Sequence, residues 1–301
     1  LLNTFFVVTN SEDTKGLVKL GNERVINARL SDANFFWKKN KSLNLVKQVG
    51  NLKSINFFYK LGSLFEKVQR IRKLGSLISD QLNYNKEKIE VSASICKVDL
   101  LSDLVGEYPE LQGIMGGYFA KDQGFDDDIS LAIKEHYLPI GLDSKVPKKP
   151  TSVAVALADK LDTLVGFFGI NEKPTSSKDP YALRRAALGL SRIIIENNLK
   201  FNLRDIINYS IILYKEQSFE LSNKSVALDL ISFLRERVKN YLKEKKIRID
   251  IIEAVVSSHN NSNFLELYKK CQVFNKFISK DNGKNILKSY KRVSNILEQE
   301  I

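Results

Sequence analysis

Histidine, cysteine, methionine and tryptophan are scarce in this 301-residue chain, which has two histidines, two cysteines, one methionine and one tryptophan. Cys96 and Cys271 lie far apart without CxxC spacing, so neither a disulfide framework nor a cysteine zinc site is supported and a reducing compartment fits. His136 and His259 are too few for an imidazole-rich transition-metal site with an activated water. No apolar run approaches the ~20 residues that span a bilayer, which argues against a membrane-embedded protein. There is no Walker-type glycine loop and no Gly-x-Ser-x-Gly elbow, so nucleotide hydrolysis and acyl transfer lack candidate residues here. Breakers are absent from the end of the chain. All six prolines fall between Pro109 and Pro180, and of fifteen glycines only Gly189 and Gly283 lie beyond Pro180, so the last 121 residues are expected to form a helix bundle.

What is present is an ordinary globular composition, 43% hydrophobic and 27% charged, in a chain long enough for at least two cores. The formal charge is +12 and it is unevenly spread. Residues 1–58 carry 9 basic and 4 acidic side chains, residues 59–178 carry 16 and 17, and residues 179–301 carry 22 and 14. A polyanionic partner explains that excess, and so does the base composition of a genome favouring Lys, Asn and Ile. Leu1 to Val8 lacks an initiator methionine and a basic n-region and reads as a buried strand, while Lys291 to Leu297 is helical in pattern without a stop signal. Both ends therefore read as cut within longer elements.

Phe5 to Thr9 is strand-like, Gly16 and Gly21-Asn22 signal turns, and Arg24 to Trp37 places Ile26, Leu30, Ala33 and Trp37 on one helical face. Residues 1–58 thus read as the end of an α+β module. Helices are predicted over 61–82, 90–106, 127–137 and 152–168, making 59–175 a second, all-helical domain. Gly169 to Lys178 is the predicted linker, and Asp179-Pro180 is a helix start opening a third, helical domain over 176–301. In its first helix Leu183, Ala187, Leu190 and Ile194 form the expected buried stripe. The predicted fold class is mainly α.

Several constellations could carry chemistry. Asp159 and Asp162 project together from a helix that is apolar almost all round; they suit a metal ion, or an ion pair with Arg70, Arg72, Arg184 or Arg185. Arg185, Gly189 and Arg192 recur at helical spacing, which fits phosphate contacts with a close backbone approach, or helix packing through the glycine. The run Arg235 to Arg248 surrounds Tyr241 with basic residues and reads as an RNA contact or a solvated face. In the glycine-bearing loop Glu107 to Tyr118, Gln112 and Tyr118 could bond to or stack on a nucleotide, or the loop is a tight interhelical turn. His136 reads as a packing histidine, and His259 sits in a loop with no assigned role.

At these residues the chain resembles the β-subunit family of the bacterial heterotetrameric glycyl-tRNA synthetases. The resemblance runs in order through Gly21 to Val25, Arg29 to Trp37, Leu61 to Leu64 with Lys67 and Arg70, and Lys97 to Leu100 leading into Glu107 to Tyr118. It continues through Glu135 to Pro139, Ala156 to Leu164, Lys178 to Ala187 and Lys291 to Leu297, while residues 198–285 match only in helical character and length.

The resemblance implies a tRNA-binding subunit of a cytoplasmic α2β2 glycine-tRNA ligase. Glycylation, with its ATP and Mg, belongs to the separate α subunit, so this chain is expected to hold no catalytic residue, metal or cofactor. It implies an HD-like middle domain and an anticodon-binding-like terminal bundle that is incomplete at its C-terminus. The candidate contacts to glycine tRNA are Lys97, Gln112, Tyr118, Lys178, Arg184, Arg185, Arg192, Lys291 and Arg292. Asp99, Asp159 and Asp162 stand as structural or vestigial HD positions. The sequence departs from an active HD hydrolase, since Cys96-Lys97-Val98-Asp99 occupies the place of the His-Asp pair. Gly117 stands where the family often has arginine, and Ser176 where it often has glycine. Two other readings remain: a metal-dependent HD-type phosphohydrolase using Asp159 and Asp162, and a non-enzymatic scaffold binding RNA or protein.

Overall fold

The structure is a computed structural model describing residues 3–10, 12–175, 177–258 and 263–300, apart from the side chains of Lys291 and of residues 298–300. Ser176, His259 and the Lys291 side chain therefore lie outside the described residues. The chain is mainly α. Helix α1 (Leu17–Asn40) and the short α2 (Leu45–Gln48) lead to an antiparallel hairpin, β1 (Asn56–Phe58) and β2 (Gly62–Ser63), which pairs Asn56 with Ser63 and Phe58 with Gly62. The hairpin is followed by α3 (Leu64–Leu82), α4 (Lys86–Ile95), α5 (Asp103–Glu107), α6 (Ile114–Asp122), α7 (Asp127–Glu135) and α8 (Pro150–Gly169). The last part comprises α9 (Leu183–Glu196), α10 (Leu203–Glu216), α11 (Val226–Glu244), α12 (Ile249–Ser258), α13 (Phe264–Ile278) and α14 (Asp281–Glu300), which is the helical succession expected of a breaker-poor stretch.

Helix α8 organises the core. Pro150 opens it, where a missing amide costs nothing, and a helix apolar on every side must be enclosed. All residues from Thr151 to Asp162 are buried, and α3, α4, α7, α9, α10 and α11 pack around it. The buried side chains from Leu45 to Cys271 join in one cluster. Helix α3, which carries two cations toward α8, starts at a capping box in which Ser63 and Glu66 satisfy each other's backbone amides.

Four local expectations are corrected. Phe5 to Thr9 belongs to no strand and Phe6 is 99% exposed; among the described residues the one sheet is the β1–β2 hairpin. The helix predicted over 90–106 breaks after Ile95 into a 3-10 turn (Val98–Leu101) and α5, which Ser102 caps by accepting from the Val105 amide at 3.2 Å. The break lets Asp99 accept from the amides of Gly113 and Gly116 at 2.6 and 3.1 Å, and so anchor the start of α6. The loop expected over Glu107 to Tyr118 gives way from Ile114 onward to helix α6. Finally, Asp179 does cap a helix, accepting from Leu183 and Arg184 amides at 2.8 and 3.0 Å, but the helix begins at Leu183 rather than at Pro180.

The glycines in α6 are there for close packing. A Cβ on Gly117 would lie 2.8 Å from the Ser130 carbonyl oxygen and 2.7 Å from Lys134 Cβ, so a side chain requires α7 to move. Gly117→Arg is therefore expected to destabilise the fold by about 1–3 kcal/mol, as overpacking does, measured by urea unfolding.

Candidate functional site

Sequence positions far apart meet around α8. From α3, Lys67 places its ammonium 3.1 Å from Asp159 Oδ1 and 3.1 Å from Asp162 Oδ2, and donates to Thr163 Oγ1 at 2.7 Å. Arg70 grips Asp162 with two bonds, Nε to Oδ1 at 2.6 Å and Nη2 to Oδ2 at 3.3 Å, and its third nitrogen donates to Gln217 at 2.6 Å. Its guanidinium stacks 3.9 Å from the Tyr214 ring centroid. Lys97, freed from α4 by the helix break, donates to Asp159 Oδ2 at 2.9 Å and sits 3.8 Å from the centre of the Tyr137 ring. All five charged groups are buried.

The electrostatics follow from that enclosure. Burial pushes the Asp159 carboxyl up, but the ammoniums of Lys67 and Lys97 more than reverse it and hold the group far below the usual carboxylate range. Burial lowers the Lys160 ammonium to about 8, with Lys97 and Lys67 adding to the effect against the pull of Asp159. Asp99 is raised by burial to about 6 despite its backbone donors. His136, wholly buried at the C-cap of α7, is lowered by burial and then by Lys97 to about 3. It is thus a neutral packing ring, as its sequence context suggested, with Nδ1 bonded to the Ile133 carbonyl.

The depressed folded pKa of His136 means the unfolded chain binds the extra proton, so the contribution is complete above about 6.5 and is lost as pH falls toward about 3. His136→Gln is expected to remove about 2 kcal/mol of the stability loss between pH 7 and pH 5, since a tenfold change in proton affinity is worth about 1.4 kcal/mol. Unfolding curves of both proteins at the two pH values measure it.

Asp159 and Asp162 are therefore taken up by Lys67, Lys97 and Arg70, the second of the two arrangements open to them from sequence. Of the four arginines that the spacing offers as partners, Arg70 takes the role; Arg72, Arg184 and Arg185 are not bonded to either carboxylate. A divalent ion would have to displace three buried cations to reach them. Among the described residues no group of three or more His, Cys, Asp or Glu side chains is placed to hold a metal. The phosphohydrolase reading has no ligand set to rest on.

Above this network opens a cleft of about 810 Å³, edged by α3, α6, α7, α8 and α9 and by the loop with the cis Leu138–Pro139 bond. It brings together four candidate residues, Lys97, Gln112, Asp159 and Arg185, and adds Lys67, Lys134 and Lys160, which are not among the candidate contacts. Tyr118 stands beside it, half exposed, with the Lys134 ammonium 5.1 Å from its ring centre. Lys178 is exposed in the loop before α9, and Arg184 is tied back to the Thr175 carbonyl in that loop. Arg192 is turned inward, donating to the carbonyls of Gly141 and Leu142 at 2.7 and 2.8 Å and to Glu196 at 2.8 Å. Gly189 packs its bare Cα against the Lys160 stem and the Pro139 carbonyl. In the Arg235 to Arg248 run, Tyr241 is buried with its hydroxyl 3.2 Å from Glu196, so that run presents a solvated face without a free aromatic.

Farther along the chain, a second cleft of about 760 Å³ is lined by Lys200, Lys269 and Lys270 together with Phe201 and Phe274. Lys276, Lys280, Lys288 and Arg292 are exposed on α13, α14 and the turn between them. No helix among the described residues is long and apolar enough to cross a membrane.

The described residues thus form a mainly α fold whose deepest carboxylates are closed by lysine and arginine and whose clefts are edged by cations and aromatics. The chain belongs to the glycyl-tRNA synthetase beta subunit family, whose model matches residues 1–257. It is 42% identical over 301 residues to the glycine–tRNA ligase beta subunit of Rhodospirillum centenum, covering 98% of this chain and 42% of that protein. The corresponding protein of Rickettsia canadensis is 44% identical over 294 residues, covering 97% and 42%. That of a Ruegeria species is 38% identical over 307 residues, covering 99% and 43%. The chain thus spans less than half the length of these relatives, and the resemblance seen in its sequence blocks is borne out.

Proposed function

We propose that this chain is a tRNA-binding portion of the β subunit of a cytoplasmic glycine-tRNA ligase, working with an α subunit in an α2β2 assembly. Activation of glycine with ATP and Mg and its transfer to tRNA take place on the α subunit, and this chain supplies grip. The observation that carries the reading is the excess of lysine and arginine in the last part of a chain in this family, 22 basic against 14 acidic side chains over residues 179–301, with Lys200, Lys269, Lys276, Lys288 and Arg292 among those exposed. Cations on a rigid helical surface bind phosphate with little ordering cost, and Phe201 and Phe274 between lysines offer faces on which unpaired bases stack. Gln112, Tyr118 and Arg185 stand as the contacts around the larger cleft. Lys97 and Arg192 act by holding α8 and the Gly141-Leu142 loop in place for them.

A filter-binding competition tests this. Glycine tRNA is expected to bind at low salt and to be displaced at least about tenfold less well by duplex DNA than by unlabelled tRNA, since a folded RNA presents shape and 2′-hydroxyls that duplex DNA lacks. Equal competition by DNA, or no binding at low salt, contradicts the reading.

A further inference from the structure

Two polar groups on the 810 Å³ cleft are left without the partners their burial calls for. Lys160 is 7% exposed, and among the described residues its ammonium makes one hydrogen bond, to the Tyr137 carbonyl at 2.8 Å, and no ion pair within 4 Å. Lys67 and Lys97 share the two carboxylates of α8, and Arg70 takes the rest of Asp162, so Lys160 pairs with neither of them. A buried ammonium with unused donors is costly, and the cost is lifted when an anion arrives. On the same lining, Glu135 Oε2 is shielded from solvent and accepts no hydrogen bond. One unmatched donor cation and one unmatched acceptor thus share a single cavity.

The rest of the lining defines what fits between them. Lys67, Lys97, Lys134, Lys160 and Arg185 face Glu110, Glu135 and Asp159, five cations against three acids, so the lining carries two positive charges in excess. A further nearby carboxylate, Asp99, is occupied by the amides of Gly113 and Gly116. A phosphate monoester brings close to two negative charges at neutral pH. Tyr137, Tyr181 and Pro139 supply flat apolar walls of the kind that hold a planar ring, and about 810 Å³ lies within the range of small-ligand pockets. Gly189, with no side chain, brings α9 close against the Lys160 stem and leaves Arg185, one turn earlier, at the mouth.

We infer that this cleft binds a nucleoside 5′-monophosphate, with the phosphate on Lys160 and Arg185 and a ribose hydroxyl or base amine donating to Glu135. The unit comes either free or as the 5′-phosphorylated end of an RNA. The second source rests on the tRNA-binding reading above; the first does not.

Calorimetric titration of this chain with AMP, adenosine and inorganic phosphate tests the inference. AMP is expected to bind about tenfold or more tighter than adenosine, because charge-assisted bonds of this kind are worth more than 1.4 kcal/mol. Lys160→Met is expected to cost AMP at least about tenfold while melting no lower than the parent, since it replaces a buried charge that lacks an ion pair by an unbranched apolar chain one atom shorter. Arg185→Ala, an exposed change that leaves folding untouched, is expected to cost a similar factor. A short RNA carrying a 5′-phosphate that binds tenfold tighter than its 5′-hydroxyl form, and is displaced by AMP, identifies the RNA end as the source; AMP binding without such displacement identifies the free nucleotide. Adenosine binding as tightly as AMP, or AMP affinity within twofold of the parent in both variants, overturns the inference. Loss of tRNA binding alone would instead count against the proposed function, because the AMP arm does not depend on it.

Discussion

Replacing Asp162 with alanine is expected to lower the unfolding free energy by about 3–5 kcal/mol, the range seen when one member of a buried ion pair is removed. The carboxylate is fully buried and holds Arg70 through two bonds and Lys67 through a third. Arginine cannot escape by losing its proton, so Arg70 would remain charged, enclosed, and bonded only to Gln217 on that side. The double replacement Arg70→Met with Asp162→Leu is expected to recover most of the loss, since a matched apolar pair carries no uncompensated charge. Urea unfolding followed by circular dichroism measures all three proteins. A metal-ligand role for Asp162 would give the opposite pattern: little change in stability on substitution and no rescue by the second change. A loss under 1 kcal/mol would therefore contradict the network described here.

The same network shows what sequence reading could and could not reach. The terminal bundle was legible because it depends on local facts, the lack of breakers and the stripe of Leu183, Ala187, Leu190 and Ile194, all of which are buried. Arg70 was legible as one of several partners for the α8 carboxylates, because a helix with no polar face must satisfy its charges from outside. Which cation answered was not legible. Lys67 and Asp162 are 95 residues apart and Lys97 and Asp159 are 62 apart, and no local pattern encodes such pairings. Lys97 was singled out from sequence as a tRNA contact; the fold places it inside, between Asp159 and the Tyr137 ring. Helix α6 was hidden because Gly113, Gly116 and Gly117 read as loop, while the structure uses Gly116 and Gly117 to press the helix against Asp99 and α7. Lys160 was overlooked beside Asp159, although a lysine in an otherwise apolar helix is itself a signal of an internal polar role.

The second large effect concerns the outer surface. Lys200 and Lys269 line the cleft with Phe201 and Phe274, and Arg292 is exposed on α14. Reversing all three to glutamate is expected to weaken tRNA binding on the order of a hundredfold at low salt, since each change removes a phosphate contact and adds repulsion. None of the three is in an ion pair within 4 Å among the described residues, so the fold is expected to melt within about 1 kcal/mol of the parent.

The dependence of tRNA affinity on salt, measured for the parent and for this triple variant, bears most directly on the proposal that lysine and arginine on the terminal helices hold the RNA. A steep fall in the parent, with the slope of log affinity against log salt reduced by about three in the variant, is the predicted result. Identical slopes in the two proteins would show that the RNA is held somewhere other than this surface.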